Sequence, residues 1–473
     1  MTTTVLILLP VVGAVGLWLT PWASARAAGG FAFLVALAEL ALWVGTAANF
    51  EFGRGLQFDA DRVWFSDLGV SYRVGLHDYS LWLVGLTAVV TAAAVGYGFW
   101  AGRSRSAVYL SLLLFLEGAT VGVFTAQDLL LFYVFWEAML IPLYVLIGVW
   151  GGPGRLGATF KFVAYTMAGS LLMLVAIIAA GLGAGTFDMA ELRQSESVWL
   201  FLGFAAAFAV KAPLWPFHGW LPDAYRESTP EVAAVLSGVI SKAAAYGFFA
   251  IAVPFYPGSA ADWRTPVLVL ASIGLVYGSL LAFRAPDVRG IVAYSSLAQM
   301  NLIVIGIFAV NASGYTGALL QMVNHGLISA ALFLLAGTIE RRCATGRLVL
   351  LGGMARGRPV LATILITTGV IALAVPGSSA FAGEFLVLNG IFTVGWGWAV
   401  VGAVAIVLAA MYVLRLVSAV LHQDVGSAVP AEALDLRPAE VGVIVPLVAA
   451  LLVLSFWPAG ITDHVFRTFA LLQ

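Results

Sequence analysis

Residues 197–218 read SVWLFLGFAAAFAVKAPLWPFH, and this stretch decides the fold. It is long enough to cross a bilayer, because a transmembrane helix needs about 20 predominantly apolar residues. It also contains one charge, Lys211, which Pro213 and Pro216 follow closely. A proline inside a helix removes a backbone hydrogen bond and leaves a carbonyl that needs another partner. The stretch therefore predicts a membrane helix that is broken beside a buried lysine.

The whole chain has the composition of a membrane protein. Of its 473 residues, 62% are hydrophobic and 10% are charged, with a mean hydropathy of +1.01, whereas soluble domains carry about 25% charged residues. A water-soluble enzyme is excluded. The net charge of -1, without a basic block, excludes a nucleic-acid partner. Because Cys343 is the single cysteine, a disulfide framework and a cysteine-ligated iron–sulfur cluster are excluded as well.

Apolar runs of membrane-spanning length recur along the chain, and we count fourteen. We therefore predict an all-α polytopic membrane protein with about 14 transmembrane helices. The runs cover residues 4–20, 28–48, 79–101, 106–125, 128–150, 158–183, 197–218, 230–254, 265–283, 289–310, 315–340, 361–386, 395–421 and 439–460.

The distribution of basic residues predicts the orientation. An even number of crossings puts both termini on one side of the membrane. With both termini outside, the inside loops hold fifteen basic residues and the outside loops hold six. Cytoplasmic loops carry an excess of Lys and Arg. We therefore expect both termini, and the acidic loop 49–78, on the outer side.

Ionisable side chains within the apolar runs are the candidates for function. Five of them are Glu137, Lys211, Lys242, His325 and Glu384. One such group could be a polar contact between helices, but charges at this depth cost several kcal/mol and normally mark ion paths or proton relays. Two of the chain's three lysines lie in this set. Lysine suits a relay because a buried ammonium can release its proton, whereas a guanidinium stays protonated.

Two further acidic residues have different interpretations. Glu117, in the run 106–125, is a sixth candidate, but the sequence indicates no partner for it. Asp128 opens the run 128–150, and we predict that it caps the N-terminus of that helix.

A second interruption matches the one after Lys211. Pro376, Gly377 and two serines precede Glu384 in the run 361–386. Broken helices at corresponding places in two halves point to an inverted-repeat transporter with its site near the membrane midplane. We predict two five-helix repeats, residues 106–254 and 265–421. They are preceded by three helices in 1–105 and followed by an inside loop and one helix in 422–473.

Several motifs together resemble the antiporter-like subunits of respiratory complex I, in the Mrp antiporter superfamily, over nearly the whole chain. They are FWEAMLIPLY at 135–144, KAPLWPFHGWLPDA at 211–224, AYSS at 293–296, NHG at 324–326 and GEFL at 383–386. Among these subunits, glutamate instead of lysine at position 384 is typical of the one flanked by subunits L and N.

The resemblance implies specific roles for the five residues. Glu137 would pair with Lys211 and change its proton affinity as the pair forms or opens. Lys242 and His325 would pass the proton laterally, and Glu384 would be the terminal donor of the second half-channel. One departure concerns Gln299, where the family often has histidine. A glutamine cannot carry an extra proton, so the relay there would run through water or other side chains.

The resemblance also implies a place in the cell. The chain would be a proton-translocating subunit of NADH-quinone oxidoreductase in the bacterial plasma membrane, in contact with lipid, protons and internal water. It would bind no cofactor, since NADH, FMN, iron–sulfur clusters and quinone would sit on other subunits.

Three other functions compete with this one. A subunit of an Mrp-type Na+/H+ antiporter, or of a related hydrogenase or quinone complex, would share the fold and most of the motifs. Glu384 argues against the Mrp antiporter, because Mrp homologues more often carry lysine at that position. A purely structural membrane anchor would need none of the five buried groups, and their cost argues against it.

Overall fold

The chain is described here by a computed structural model that covers residues 1–22, 24–432 and 434–471. Helices dominate this part of the chain, and its only sheet is a two-stranded hairpin. The predicted all-α membrane fold is confirmed.

The first half of the chain holds twelve helices and the hairpin. Their bounds are α1 (Thr2–Leu19), α2 (Ala25–Ala48), β1 (Gln57–Phe65), β2 (Val70–Leu76), α3 (Asp78–Ala101), α4 (Ser106–Thr125), α5 (Leu129–Ala138), α6 (Leu140–Trp150), α7 (Arg155–Ala184), α8 (Val198–Lys211), α9 (Leu221–Glu227), α10 (Pro230–Val235), α11 (Ser241–Gly247) and α12 (Val253–Phe255). Two π-helical segments, Leu236–Ile240 and Phe248–Ala252, join α10, α11 and α12 into one continuous span.

The described residues of the second half form helices joined by loops, without strands. Its helices are α13 (Pro257–Asp262), α14 (Arg264–Arg284), α15 (Val288–Phe308), α16 (Ala312–Cys343), α17 (Pro359–Ala372), α18 (Ser379–Val394), α19 (Trp396–Leu421), α20 (Pro438–Phe456) and α21 (Ala459–Leu471). Short 3-10 turns lie at Ser66–Leu68 and Leu348–Leu350.

Twelve spans in the described residues are long and apolar enough to cross a membrane. The other two of the fourteen predicted runs contain shorter helices, α8 in one and α17 with α18 in the other. Both interruptions fall where the prolines predict them, after Lys211 and between Ala372 and Ser379. The number of crossings and the inverted relation of the two repeats stay predictions.

The spans form a buried core and an outer layer. The most apolar window of α16 is 100% buried inside the protein, and that of the span Pro230–Phe255 is 94% buried. In contrast, α2, α19 and α20 are each 33% buried and expose large apolar side chains on their outer faces. Polar groups on the central spans are therefore shielded from lipid by the outer helices.

The loop predicted outside folds into the hairpin β1–β2. Asp61 lies opposite Arg73 across the two strands, with 2.6 Å between Asp61 Oδ2 and Arg73 Nη2. Arg73 also pairs with Asp188. Asp128 accepts hydrogen bonds from the backbone N–H groups of the first turn of α5, at 2.9 and 3.0 Å, which confirms the predicted N-cap.

Five ion pairs connect segments that the sequence assigns to the inner side. They are Arg103–Glu231 at 2.6 Å, Lys161–Asp223, Arg226–Asp287 and Arg289–Glu340 at 2.5 Å, and Arg342–Glu440 at 2.7 Å. Glu231 and Glu440 have 0% exposure, and each accepts two hydrogen bonds from its guanidinium. At one end of the bundle, these pairs join the loop before α4 to α10, α15 to α16, and α16 to α20.

Replacing Glu231 with alanine should destabilise the fold strongly. Arg103 and Tyr109 would lose their shared acceptor, and removing one partner of a buried ion pair costs about 3–5 kcal/mol. The free energy of unfolding in mixed micelles measures the effect. The control is Glu51→Ala, because the exposed Glu51–Arg54 pair should contribute at most about 1 kcal/mol. Equal losses in the two variants would contradict the prediction.

Candidate functional site

The five predicted site residues lie along the interior of the bundle. Lys211, Lys242, His325 and Glu384 are at most 4% exposed, and Glu137 is partly buried. Four of them lie near an irregular part or an end of a helix, and His325 lies within the long helix α16. Lys211 is the last residue of α8, Lys242 follows a π-helical segment, and Glu384 lies in the second turn of α18.

The surroundings of Lys211 are aromatic. Its Nζ lies 3.8 Å from the centroid of the Trp136 ring, in the range of a cation–π contact. The Trp136 ring also contacts Phe208, with 5.5 Å between centroids. Within the described residues Lys211 Nζ has no hydrogen-bond partner. The ammonium is thus held against an aromatic face.

Glu137 is the neighbour of that tryptophan in the sequence and acts on Lys211 through its charge. The two side chains form no ion pair within 4.0 Å among the residues that the structure describes. One oxygen of Glu137, Oε1, is buried and has no hydrogen-bond partner there. Glu137 and Lys211 therefore form no ion pair in this structure, and their pairing stays a prediction.

Lys242 and His325 are in direct contact. Lys242 Nζ lies 2.7 Å from His325 Nδ1 and also donates to the carbonyl oxygen of Ser237. That carbonyl lies in the π-helical segment Leu236–Ile240, five residues before Lys242. π-helical turns leave carbonyls available to side chains and are frequent at functional sites. The local widening of the helix therefore orients the ammonium toward α16.

Small residues bring the two helices close enough for this bond. A Cβ atom at Gly326 would lie 2.6 Å from the carbonyl oxygen of Gly238. The backbones of α16 and of the π-helical segment thus meet directly, as is common where small residues face each other in membrane helices. His325 precedes Gly326, so this approach places its ring beside Lys242.

Glu384 belongs to a chain of amides. Gln299 Nε2 donates to Glu384 Oε1 at 3.0 Å, and Gln321 Nε2 donates to Gln299 Oε1 at 2.9 Å. Gln299 is the residue where the sequence departs from the resembled family, and its amide is in direct contact with the carboxylate. α18 approaches α16 closely here, since a Cβ atom at Gly383 would lie 2.6 Å from Gln321 Oε1.

A small cavity connects His325 with Glu384. Its volume is about 30 Å³, and a cavity needs roughly 10–15 Å³ to hold one water. Besides these two residues, its polar lining consists of Ser295, Gln299, Gln321, Ser329 and Tyr412. The site can therefore carry a proton from an imidazole through hydrogen-bonding groups or water to a carboxylate.

Two asparagines that the sequence reasoning did not assign bind backbone carbonyls beside the helix breaks. Asn301 Nδ2 donates to the carbonyl of Pro213 at 3.3 Å, after α8, and Asn324 Nδ2 donates to that of Ser379 at 2.7 Å. The indole of Trp220 also donates to the carbonyl of Val210, at 2.9 Å. Isolated amides inside apolar runs were the available signal. Their contacts explain how broken helices remain stable at this depth.

Glu117 lies apart from these five residues. The structure places it on α4, where it interacts electrostatically with Glu39 of α2. The sequence reasoning did not single out Glu39. In the described part of the chain, no group of three or more His, Cys, Asp and Glu residues could hold a metal ion.

Comparison with known proteins places these features in a family. The family model described as NADH:quinone oxidoreductase/Mrp antiporter, TM, matches residues 126–409. NADH-quinone oxidoreductase subunit M of Rhodobacter capsulatus is 38% identical, covering 86% of this chain and 83% of that protein. The subunit M of Mycobacterium tuberculosis is 34% identical, covering 97% and 91%.

Solved structures have the same fold. A chain of respiratory complex I from Thermus thermophilus has a TM-score of 0.90 and 31% identity, covering 100% of this chain and 99% of that one. A chain of the Mrp complex from Dietzia sp. has a TM-score of 0.87 and 22% identity, covering 99% and 97%. The second likeness concerns the fold alone.

Replacing Asn301 with alanine should destabilise the break after α8. The carbonyl of Pro213 would lose its amide donor, and an unsatisfied buried acceptor costs about 1–3 kcal/mol. The free energy of unfolding in mixed micelles is the measurement. Asn389→Ala is the matched control, because its amide is exposed and bonds only Ser313 Oγ; a change within about 0.5 kcal/mol is expected there. A loss in the control as large as in Asn301→Ala would argue against this role.

Proposed function

Because the chain belongs to the NADH:quinone oxidoreductase/Mrp antiporter transmembrane family, we propose that it is subunit M of a bacterial NADH-quinone oxidoreductase. In this function it moves protons across the membrane while other subunits reduce quinone. The relatives that carry the name subunit M support this choice, at 38% identity for Rhodobacter capsulatus and 34% for Mycobacterium tuberculosis.

The observation that carries the proposal is the contact of Lys242 with His325, 2.7 Å apart in the most buried part of the bundle. A hydrogen bond between two nitrogen bases needs one nitrogen to donate and the other to accept. When either base is protonated, it can donate to the other, so the pair can pass a proton between its two nitrogens. A mere polar contact between helices does not need two bases.

The proton passes laterally from Lys242 through His325 to Glu384, which belongs to the second half-channel. Transfer from the ammonium to His325 Nδ1 leaves a neutral amine and an imidazolium. The imidazolium then releases the proton on its other nitrogen, Nε2. One proton has thus entered the ring at Nδ1 and another has left it at Nε2. The cavity beside His325 leads this proton to Glu384, whose Oε1 is oriented by Gln299. Glu384 acts as the terminal donor.

In the first half-channel, the distance between Glu137 and Lys211 determines whether Lys211 keeps or releases its proton. When the carboxylate approaches, it favours the charged ammonium, and when it withdraws, burial favours loss of the proton. The cation–π contact with Trp136 stabilises Lys211 in the separated arrangement. Quinone reduction elsewhere in the complex would drive the change between the two arrangements.

The chemistry of electrons stays on other subunits in this proposal. The chain binds no cofactor of its own, and NADH, FMN, iron–sulfur clusters and quinone belong to its partners. The single cysteine, Cys343, agrees with this division, because iron–sulfur clusters are held by several cysteines. The chain thus contributes to the translocase activity of the complex as a proton carrier.

The placement in the membrane is also part of the proposal. Subunits L and N lie on either side of this chain in the plasma membrane, with both of its termini on the periplasmic side. Five ion pairs join segments of the basic side to one another, and the Arg73 pairs join segments of the other side. The repeats 106–254 and 265–421 each contain one broken helix and form one half-channel each.

The main alternative is a subunit of an Mrp-type Na+/H+ antiporter or of a related hydrogenase or quinone complex. The shared fold with the Dietzia Mrp chain makes it a serious candidate, whereas Glu384 favours the complex I subunit. The neighbouring genes discriminate between the two. Dehydrogenase and quinone-module genes support complex I, and a set of short Mrp-type genes supports the antiporter.

The first functional prediction concerns Lys211. Lys211→Ala should abolish proton pumping by the assembled complex, because the first half-channel loses its proton-carrying group. The proton-to-electron ratio in membrane vesicles is the measurement. The control is Lys161→Ala, since Lys161 pairs with Asp223 at the surface and should leave the ratio unchanged. A normal ratio in Lys211→Ala would be incompatible with the relay.

The second functional prediction ranks two carboxylates. Glu384→Gln should impair pumping more than Glu117→Gln, because glutamine cannot release a proton from the exit position whereas Glu117 lies outside the row. Pumping rates at equal electron-transfer rates give the comparison. The reverse order would remove Glu384 from the exit position.

A further inference from the structure

Two carboxyl groups in the first helices of the chain lie outside the relay. Glu39 on α2 is 0% exposed and Glu117 on α4 is 1% exposed. None of their four carboxyl oxygens has a hydrogen-bond partner among the described residues. The equally buried Glu231 and Glu440 each accept two hydrogen bonds from an arginine. Glu39 and Glu117 therefore lack the arginine partner that Glu231 and Glu440 have.

The two carboxyl groups lie at the same depth. On α2, Gly29 lies against Phe99 and Trp43 against Gly85, so the antiparallel register places Glu39 near residue 89 of α3. On α4, Leu110 lies against Gly98 of α3. Glu117 is seven residues, about two helical turns, beyond Leu110, which places it near residue 91. The electrostatic interaction between the two groups agrees with this register.

A third polar group faces them. Thr91 is 1% exposed, and its hydroxyl has no hydrogen-bond partner in the described residues. Thr91 lies seven residues before Gly98, as Glu117 lies seven after Leu110, so both side chains occupy the facing sides of α3 and α4. On the fourth side, Pro10 of α1 lies against Gly118. The four helices thus enclose two carboxyls and an unused hydroxyl.

No cation of the neighbouring helices neutralises this group. α1 has no ionisable side chain, and Arg26 of α2 lies thirteen residues from Glu39, about 20 Å along the helix. Among the described side chains, the other ionisable groups on helices packed against α3 and α4 are Asp78, Tyr79 and Tyr97 on α3, Tyr109 on α4, Tyr133 and Glu137 on α5, Tyr144 on α6, Glu231 on α10, Lys242 and Tyr246 on α11, Tyr315, His325, Glu340, Arg341 and Arg342 on α16, Glu440 on α20, and Asp463 and His464 on α21. The cations among them have other partners: Lys242 contacts His325, Arg341 lies over the Trp100 ring and Arg342 pairs with Glu440.

We propose that Glu39 and Glu117 form a proton-binding carboxyl pair that holds at least one proton between α1, α2, α3 and α4. Two ionised carboxylates cannot share a dry site, because their repulsion adds to the loss of hydration. A proton on one group removes that repulsion, and the hydroxyl of Thr91, at the same depth, offers a donor and an acceptor. The pair is a proton site separate from the row of Lys242, His325 and Glu384.

Infrared spectroscopy of the assembled complex tests the pair. The probe is the C=O stretching band of protonated carboxyl groups at neutral pH, with its shift in D2O, in sodium-free potassium buffer. The double variant Glu39→Gln/Glu117→Gln should lose the intensity of at least one protonated carboxyl relative to the natural protein. Glu440→Gln is the control and should lose none, because Arg342 keeps that carboxylate ionised.

Each possible result decides the proposal. Equal band intensity in the natural protein and the double variant would overturn it. If the double variant does not assemble, the single variants replace it, and a band unchanged in position and intensity in both would also overturn it. Loss of the natural protein's band on adding sodium would assign the site to a cation instead. The infrared measurement does not depend on proton pumping. The carboxyl-pair proposal can therefore be wrong while the relay is right, and the relay can be wrong while the carboxyl pair is right.

Discussion

The structure depends on one constraint: in the middle of a bilayer, polar and charged groups must find partners inside the protein. Two classes of group need such partners here, the carbonyls freed at the helix breaks and the side chains of the buried row. The amide of Asn301 and the indole of Trp220 satisfy the carbonyls of Pro213 and Val210 at the break after α8, and the amide of Asn324 binds the carbonyl of Ser379 at the start of α18. The shielding by the outer helices then permits charges at a depth where lipid would exclude them.

Close contacts between helix backbones position the buried ionisable groups relative to one another. The backbones meet at Gly238 and Gly326, beside Lys242 and His325, and again where Gly383 lies against Gln321, beside Glu384. Larger side chains at these positions would separate the groups that exchange hydrogen bonds. The Lys242–His325 and Gln299–Glu384 hydrogen bonds are therefore set by packing as much as by the ionisable residues.

The two halves of the row differ in how their groups are connected. From Lys242 to Glu384, hydrogen bonds and a small polar cavity are in place. Around Lys211, the ammonium contacts the Trp136 ring and has no hydrogen-bond partner in the described residues, and Glu137 forms no ion pair with it. A continuous wire would allow protons to leak through the membrane. The interruption at Lys211 fits the proposed relay, in which protons move only when the Glu137–Lys211 pair rearranges.

The sequence by itself determined the fold class, the positions of the spans, both helix breaks and the five buried ionisable residues, because hydropathy, proline and charge act locally along the chain. It did not reveal that Gln299 binds Glu384, or that Glu39 is the neighbour of Glu117. Nor did it reveal that Asn301 and Asn324 bind backbone carbonyls beside the helix breaks. Those contacts join residues up to 88 positions apart. Only the packing of the helices decides which polar groups meet, since an isolated apolar run contains no information about the face that each neighbour will occupy.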